Sequence, residues 1–160
     1  MKTCKLLREQ VAAATGSKKA ELVLKNAQIV NVFTQSVETG DIAIEGGYIV
    51  GIGNYEGITE KDLGGAYVCP GFLDGHIHIE SSMTSPGEFE RAVVPHGTIA
   101  VITDPHEIAN VAGTAGIRFM MQSAQKLDLD VYFMLPSCVP ATDLDESGAE
   151  LLARDLEPFY

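Results

Sequence analysis

Two imidazoles and two carboxylates recur at every second position of Asp74-Gly75-His76-Ile77-His78-Ile79-Glu80. Side chains alternate along a strand, so an extended segment would send Asp74, His76, His78 and Glu80 to one face. Leu73, Gly75, Ile77 and Ile79 would then form an apolar face able to pack under helices. That much buried polarity is costly unless it is used, and two imidazoles at i and i+2 suit one divalent cation. Two satisfied core histidines are the competing reading. Two histidines cannot hold a catalytic metal alone, so further ligands must come from elsewhere.

A second cluster, Thr103-Asp104-Pro105-His106-Glu107, follows an apolar run. His106 between two carboxylates suits an additional metal ligand, a group that orients a ligand, or a substrate contact. For Asp104 and Asn110, capping of the next helix is the plainer alternative. Pro136-Ser137-Cys138-Val139-Pro140 follows a third apolar run and reads equally as a pocket wall or a proline-stiffened loop. His96, next to Gly97 at a helix end, reads as structural. Two tempting motifs fail: His106-Glu107-Ile108-Ala109-Asn110 has Asn where a zinc-protease helix needs its second His, and no Pro-Cys-x-x-Cys follows His78-Ile79-Glu80.

The elements that must position these groups are legible in outline. Leu7, Val11 and Ala14 predict a short helix over residues 4–14, with a break at Gly16-Ser17-Lys18-Lys19. From Glu21 the period becomes two. Short strands are expected around Leu22/Leu24, Ile29–Val32, Ile42–Ile44, Ile49–Ile52 and Ala66–Val68, with a tight hairpin at Gly46-Gly47. Residues 21–68 thus read as a small, mostly antiparallel β unit. After Pro70-Gly71 the order is strand (72–79), helix, strand (98–103), helix (109–127), strand (131–135). Ser85-Pro86-Gly87-Glu88 reads as a capping box, and Ser147-Gly148-Ala149-Glu150 as the start of a further helix.

This grammar predicts an α/β fold: the first three βα units of an incomplete (β/α)8 TIM-type barrel, preceded by a portion of a small β-sandwich. A closed barrel takes about 250 residues, and only residues 71–160 follow Pro70. The expected segments are 1–20 (helix and linker), 21–69 (small β domain) and 70–160 (first part of the barrel). In such a barrel His76/His78, the 103–107 cluster and Ser137/Cys138 would share the rim at the strands' C-terminal ends.

Hydrophobic residues make up 46% of the 160 and charged residues 21%, ordinary for a globular chain. A net charge of −11 leaves no basic stripe for a nucleic-acid backbone. No stretch is long and apolar enough for a membrane span, and Lys2, Lys5 and Arg8 interrupt any signal-peptide core, so a cytoplasmic location is expected. Cys4, Cys69 and Cys138 are odd in number and widely spaced, which fits reduced thiols.

Taken in order, a small β unit, Pro70-Gly71-Phe72-Leu73-Asp74-Gly75-His76-Ile77-His78 and then βα repeats resemble the amidohydrolase superfamily. Within it, Val23–Val32, Asp74–Met83 and Thr103–Val111 are similar to the bacterial adenine deaminases. The resemblance implies hydrolysis of adenine to hypoxanthine and ammonia at a centre of Mn2+, Fe2+ or Zn2+. It carries His76 and His78 over as metal ligands, with His106 as a further one. Glu80 and Glu107 are the candidate proton-transfer carboxylates, the main shuttle being expected beyond residue 160. Asp104, Ser137 and Cys138 are the candidate substrate contacts. The expected partner is a small purine, adenine, with no nucleic acid or membrane, and a homo-oligomer is compatible with the complete protein. The implied ligands on later strands have no positions here, so the 160 residues alone are expected to be inactive and poorly soluble or partner-dependent. Another purine or cyclic-amide amidohydrolase, or a non-catalytic remnant that binds a partner, are the alternatives.

Overall fold

The computed structural model describes residues 4–142 and 144–159; the outermost ends of the expected first and last segments, residues 1–3 and 160, lie outside them. The chain divides into two compact units, one ending at Pro70 and the other beginning at Gly71.

The first unit opens with helix α1 (Cys4–Ala14), followed by strands β1 (Ala20–Asn31), β2 (Ser36–Glu45), β3 (Tyr48–Gly53), β4 (Gly57–Asp62) and β5 (Tyr67–Val68). The sheet order is β3-β2-β1-β4, with β5 also paired to β1. The β1–β2 and β2–β3 pairs are antiparallel, whereas β4 and β5 run parallel to β1. Apolar residues of α1, β1 and β2 build the core: Ala13, Ala20, Val23 and Ala43 in one cluster, Ala27, Ile29 and Ile42 in another. The β2–β3 turn uses Gly46 and Gly47 at φ 59° and 76°, the left-handed pair that suits the twist of a tight hairpin.

Two expectations change here. The runs around Leu22/Leu24 and Ile29–Val32 are one strand, β1, interrupted by a bulge near Asn26 at φ 56°. Asn tolerates that conformation, and its N–H donates to Asp41 Oδ1. Strand β4 was not expected at all, because only Gly57 of its six residues is buried. An exposed edge strand carries no alternating apolar signal.

In the second unit, β6 (Phe72–Ile77), β7 (Thr98–Thr103) and β8 (Asp130–Phe133) form a parallel sheet in that order. Helix α2 (Pro86–Val93) connects β6 to β7, and helix α3 (His106–Ala124) connects β7 to β8. A core of Ile79, Phe89, Val101, Met120 and Leu129 joins sheet to helices, and a second of Ala109, Ile117 and Val139 lies beside α3. Among the described residues no helix is long and apolar enough to cross a membrane.

Several boundaries move for identifiable reasons. Strand β6 stops at Ile77, not Ile79, because residues Ile79–Ser82 wind into a 3-10 turn that puts Ile79 at 0% exposure in the core. Leu73, expected under helices, is 70% exposed. Strand β7 is likewise covered unevenly, with Ile99 and Ile102 exposed. Ser85 precedes α2 but makes no side-chain capping bond, and Glu88 instead takes a hydrogen bond from Arg91. Helix α3 begins at His106, three residues before the expected Ala109, and breaks at Gly113 (φ 58°, ψ −143°). Residues 147–150 open no helix; α4 is confined to Ala153–Leu156 and is followed by a 3-10 turn at Glu157–Phe159.

Candidate metal centre

The geometry starts with a fault in β6. Asp74 pairs with Val101 and Ile77 with Thr103, so β6 spends three steps where β7 spends two. The extra residue is a bulge at Gly75-His76, a device that re-aims side chains at a sheet rim. Asp74 Oδ1 accepts the N–H of His76 at 3.1 Å within this bulge. Strict alternation therefore fails over this stretch.

The imidazoles converge nonetheless. His76 Nε2 and His78 Nε2 lie 3.2 Å apart. Two nitrogens bound to one tetrahedral ion at about 2.0–2.1 Å stand about 3.3 Å from each other, so the observed spacing fits a shared cation. His78 Nδ1 lies 2.7 Å from the backbone carbonyl oxygen of Asp104. A neutral His78 then carries its proton on Nδ1 and presents a lone pair at Nε2, the state a metal needs. Backbone pairing supports this contact, since Asp104 N–H donates to Ile77 C=O at 3.0 Å.

His106 completes a row of rings. Its centroid is 4.6 Å from that of His78, which is 4.8 Å from that of His76, each pair edge-on. His106 Nδ1 sits 3.2 Å from Asp104 Oδ2. One ligand atom from each of His78, Asp104 and His106 lies within 4.8 Å of the others. Among the described residues, Asp104 Oδ1, Glu80 Oε2 and Thr103 Oγ1 are buried without a hydrogen-bond partner. A buried carboxylate oxygen without a partner beside imidazoles fits a site that takes a cation.

Glu80 lies off the strand, in the 3-10 turn, and its Oε1 accepts the N–H of Ile108 at 3.2 Å. Glu107, exposed in the first turn of α3, accepts from Ser81 Oγ at 2.7 Å. Ser137 and Cys138 part company. Cys138 borders a cleft of about 540 Å³ with His106 and Asn110, whereas Ser137 borders a different one walled by Leu135 and α4. Asn110 Nδ2 donates to the His106 carbonyl, so it braces α3 from within and caps nothing. Ser81 carries no role in the sequence reading, where it appears only within the Asp74–Met83 stretch; its signal is a polar turn directly after a metal-type strand.

The amidohydrolase family profile matches residues 67–160, more than half of the chain and all three parallel strands. This chain belongs to the amidohydrolase family. It is 58% identical over 155 residues to adenine deaminase 2 of Carboxydothermus hydrogenoformans, a match covering 97% of this chain and 27% of that protein. It is 57% identical to the adenine deaminase of Bacillus pumilus over the same shares. The chain thus spans about a quarter of the length of the curated relatives it matches. Among solved structures, N-acyl-D-glutamate deacylase of Bordetella bronchiseptica, crystallised with zinc and a phosphonate inhibitor, is similar with a TM-score of 0.56 at 18% identity. That likeness covers 74% of this chain and 30% of the deacylase and speaks for the fold alone. The second unit is a partial TIM-barrel-like α/β domain of this family.

As an amidohydrolase, the chain places its His/Asp/His group at the C-terminal ends of β6 and β7, the side on which barrel enzymes carry their chemistry. The donor set, imidazole nitrogen with one carboxylate, suits Zn2+ and the neighbouring first-row ions better than Ca2+ or Mg2+.

Proposed function

We propose that these residues supply part of the active site of an adenine deaminase, which hydrolyses adenine to hypoxanthine and ammonia in the complete enzyme. The observation that carries this reading is the His76/His78 pair, with nitrogens at metal-sharing distance, in a chain 58% identical to a protein named for that reaction. We take residues 70–160 as the first three βα units of a (β/α)8 barrel and residues 21–69 as a portion of a small β domain.

In this reading His76 and His78 hold a divalent ion, Mn2+, Fe2+ or Zn2+, through their Nε2 atoms, and His106 contributes beside them. Such an ion, when bound, lowers the pKa of water toward neutrality and so makes a nucleophile available. The protein's share is orientation. The Asp104 carbonyl keeps the proton of His78 on Nδ1, and the β6 bulge brings the His76 ring alongside it. Overall, water adds its oxygen to C6 of the purine, the bond from C6 to the exocyclic nitrogen breaks, one proton of the water stays on the hypoxanthine ring, and the other leaves with that nitrogen as ammonia. Glu107, exposed in the first turn of α3, is the carboxylate of these residues that we assign to hold that proton in transit. Asp104 and Cys138 face the purine, and we keep Ser137 as a further contact from the neighbouring loop.

The test is turnover of adenine by the complete protein loaded in turn with Mn2+, Fe2+ and Zn2+, followed by hypoxanthine absorbance and ammonia release. Adenine should be the preferred purine. Preference for another purine or a cyclic amide would replace the substrate assignment. No turnover of any of them would favour a binding role.

A further inference from the structure

We infer that Glu80, with Ser81, is a positioning residue that ties the His78 strand end to the start of the His106 helix, and that it carries no proton in the reaction. The inference rests on the metal-centre reading above and reassigns a carboxylate expected from sequence to be catalytic.

Helix α3 begins with a defect. The first N–H groups of any helix lack intrahelical partners, and the residue before the helix ordinarily offers a side-chain oxygen to the third of them. Here that residue is Pro105, which has no such oxygen, and no side-chain cap forms. The third helical residue is Ile108, and its N–H is taken by Glu80 Oε1 from a different strand end. Glu80 therefore supplies in space the cap that Pro105 cannot supply in sequence. A carboxylate is favoured there further by the positive end of the helix.

Ser81 repeats the pattern one residue on, donating from Oγ to Glu107 Oε1 at 2.7 Å. Consecutive residues of the turn after His78 thus bind consecutive residues of the turn after His106. Together with His78 Nδ1 to Asp104 O and Asp104 N–H to Ile77 O, four hydrogen bonds stitch the two strand ends together. The ring spacing from His78 to His106 is set across this seam. The turn itself cannot shift to compensate, because Ile79 between His78 and Glu80 is fully buried. Groups that orient metal ligands in this manner typically carry about ten- to hundred-fold in metal affinity.

The test is Zn2+ affinity of the complete protein, by competition with a chromophoric chelator, for wild type, Glu80→Ala, Glu80→Gln and Ser81→Ala, alongside steady-state kinetics. A positioning role predicts that Glu80→Ala weakens Zn2+ binding about ten-fold or more. Glu80→Gln keeps an acceptor for Ile108 N–H and should stay within about three-fold of wild type in affinity, with kcat largely retained; Ser81→Ala should lose about three-fold. If Glu80→Ala does not fold, Glu80→Gln and Ser81→Ala carry the same comparison. Wild-type Zn2+ affinity in Glu80→Gln with kcat abolished would overturn the inference and return Glu80 to proton transfer. Because affinity is read without substrate, this order of affinities stands or falls independently of whether adenine is the substrate.

Discussion

His78 Nδ1 meets the carbonyl oxygen of Asp104 at 2.7 Å, across 26 residues of chain and between two parallel strand ends. One contact decides both which nitrogen of His78 is free and how far β6 stands from β7 at the rim. The neighbouring pair Asp104 N–H to Ile77 O makes the contact part of the sheet's own ladder. Site and fold are consequently not separable here, and perturbing either should be visible in the other.

Ile79→Ala is the direct check of that coupling. Ile79 is fully buried in the core with Phe89, Val101, Met120 and Leu129, between a metal-type His and the Glu that caps α3. Truncation should cost about 2–5 kcal/mol, read as a lowered urea midpoint. Zn2+ affinity should fall with it, even though Ile79 has no ligand atom. Unchanged affinity in a destabilised protein would show that the turn does not govern the ligands.

Gly113→Ala should destabilise the α3 region by about 1–3 kcal/mol. At φ 58° and ψ −143° the backbone is open essentially to glycine alone, and an added Cβ would lie 3.3 Å from Ala149 Cβ. Gly75→Ala is the contrast. Its Cβ would meet nothing within 4 Å, so stability should change by no more than about 0.5 kcal/mol. Thermal melts of the two variants distinguish a strained position from a merely small one.

The acid limit of the first unit should depend on Asp41. Burial pushes its carboxyl up, but the Lys25 ammonium and the N–H groups of Asn26 and Tyr55 together hold it below the usual carboxylate range. A depressed value means the stabilisation is complete above the unfolded carboxylate pKa of about 3.9 and is lost as pH falls through the lower folded value. Asp41→Asn should cost about 1–3 kcal/mol at neutral pH and flatten that acid loss. Hydrogen exchange in β1 and β2 from pH 3 to 7 reads both. The partner titrates in the opposite sense: Asp41 raises the Lys25 ammonium above its ordinary value, so that contribution persists below the ordinary lysine pKa and disappears as pH rises past the folded one.

How much of this could be read from the chain differs by element. The His76-x-His78 pair was legible because the residue types are rare and the spacing is fixed by strand geometry. Its detailed placement was not, since the Gly75-His76 bulge appears only when β6 pairs with β7. Period two continued past Ile77 puts Glu80 on the strand face, but β6 ends there and the 3-10 turn at Ile79–Ser82 carries Glu80 off it. Pro105 and His106 give no capping signal of their own, so the local pattern starts α3 only at Ala109, three residues late. The missing cap comes from Glu80, at a separation no local pattern can register. The hairpin at Gly46-Gly47 was legible for the opposite reason, its chemistry being wholly local. Edge strand β4 was invisible because exposure removes the very periodicity by which strands are recognised.

The central claim is that the Nε2 atoms of His76 and His78 share one divalent ion. Metal content of the complete protein, measured by plasma mass spectrometry after dialysis against dilute Zn2+ for wild type, His76→Ala and His78→Ala, tests it directly. Each substitution should remove at least one equivalent of tightly held metal while circular dichroism shows the fold retained. Full wild-type metal content in both variants would contradict the claim.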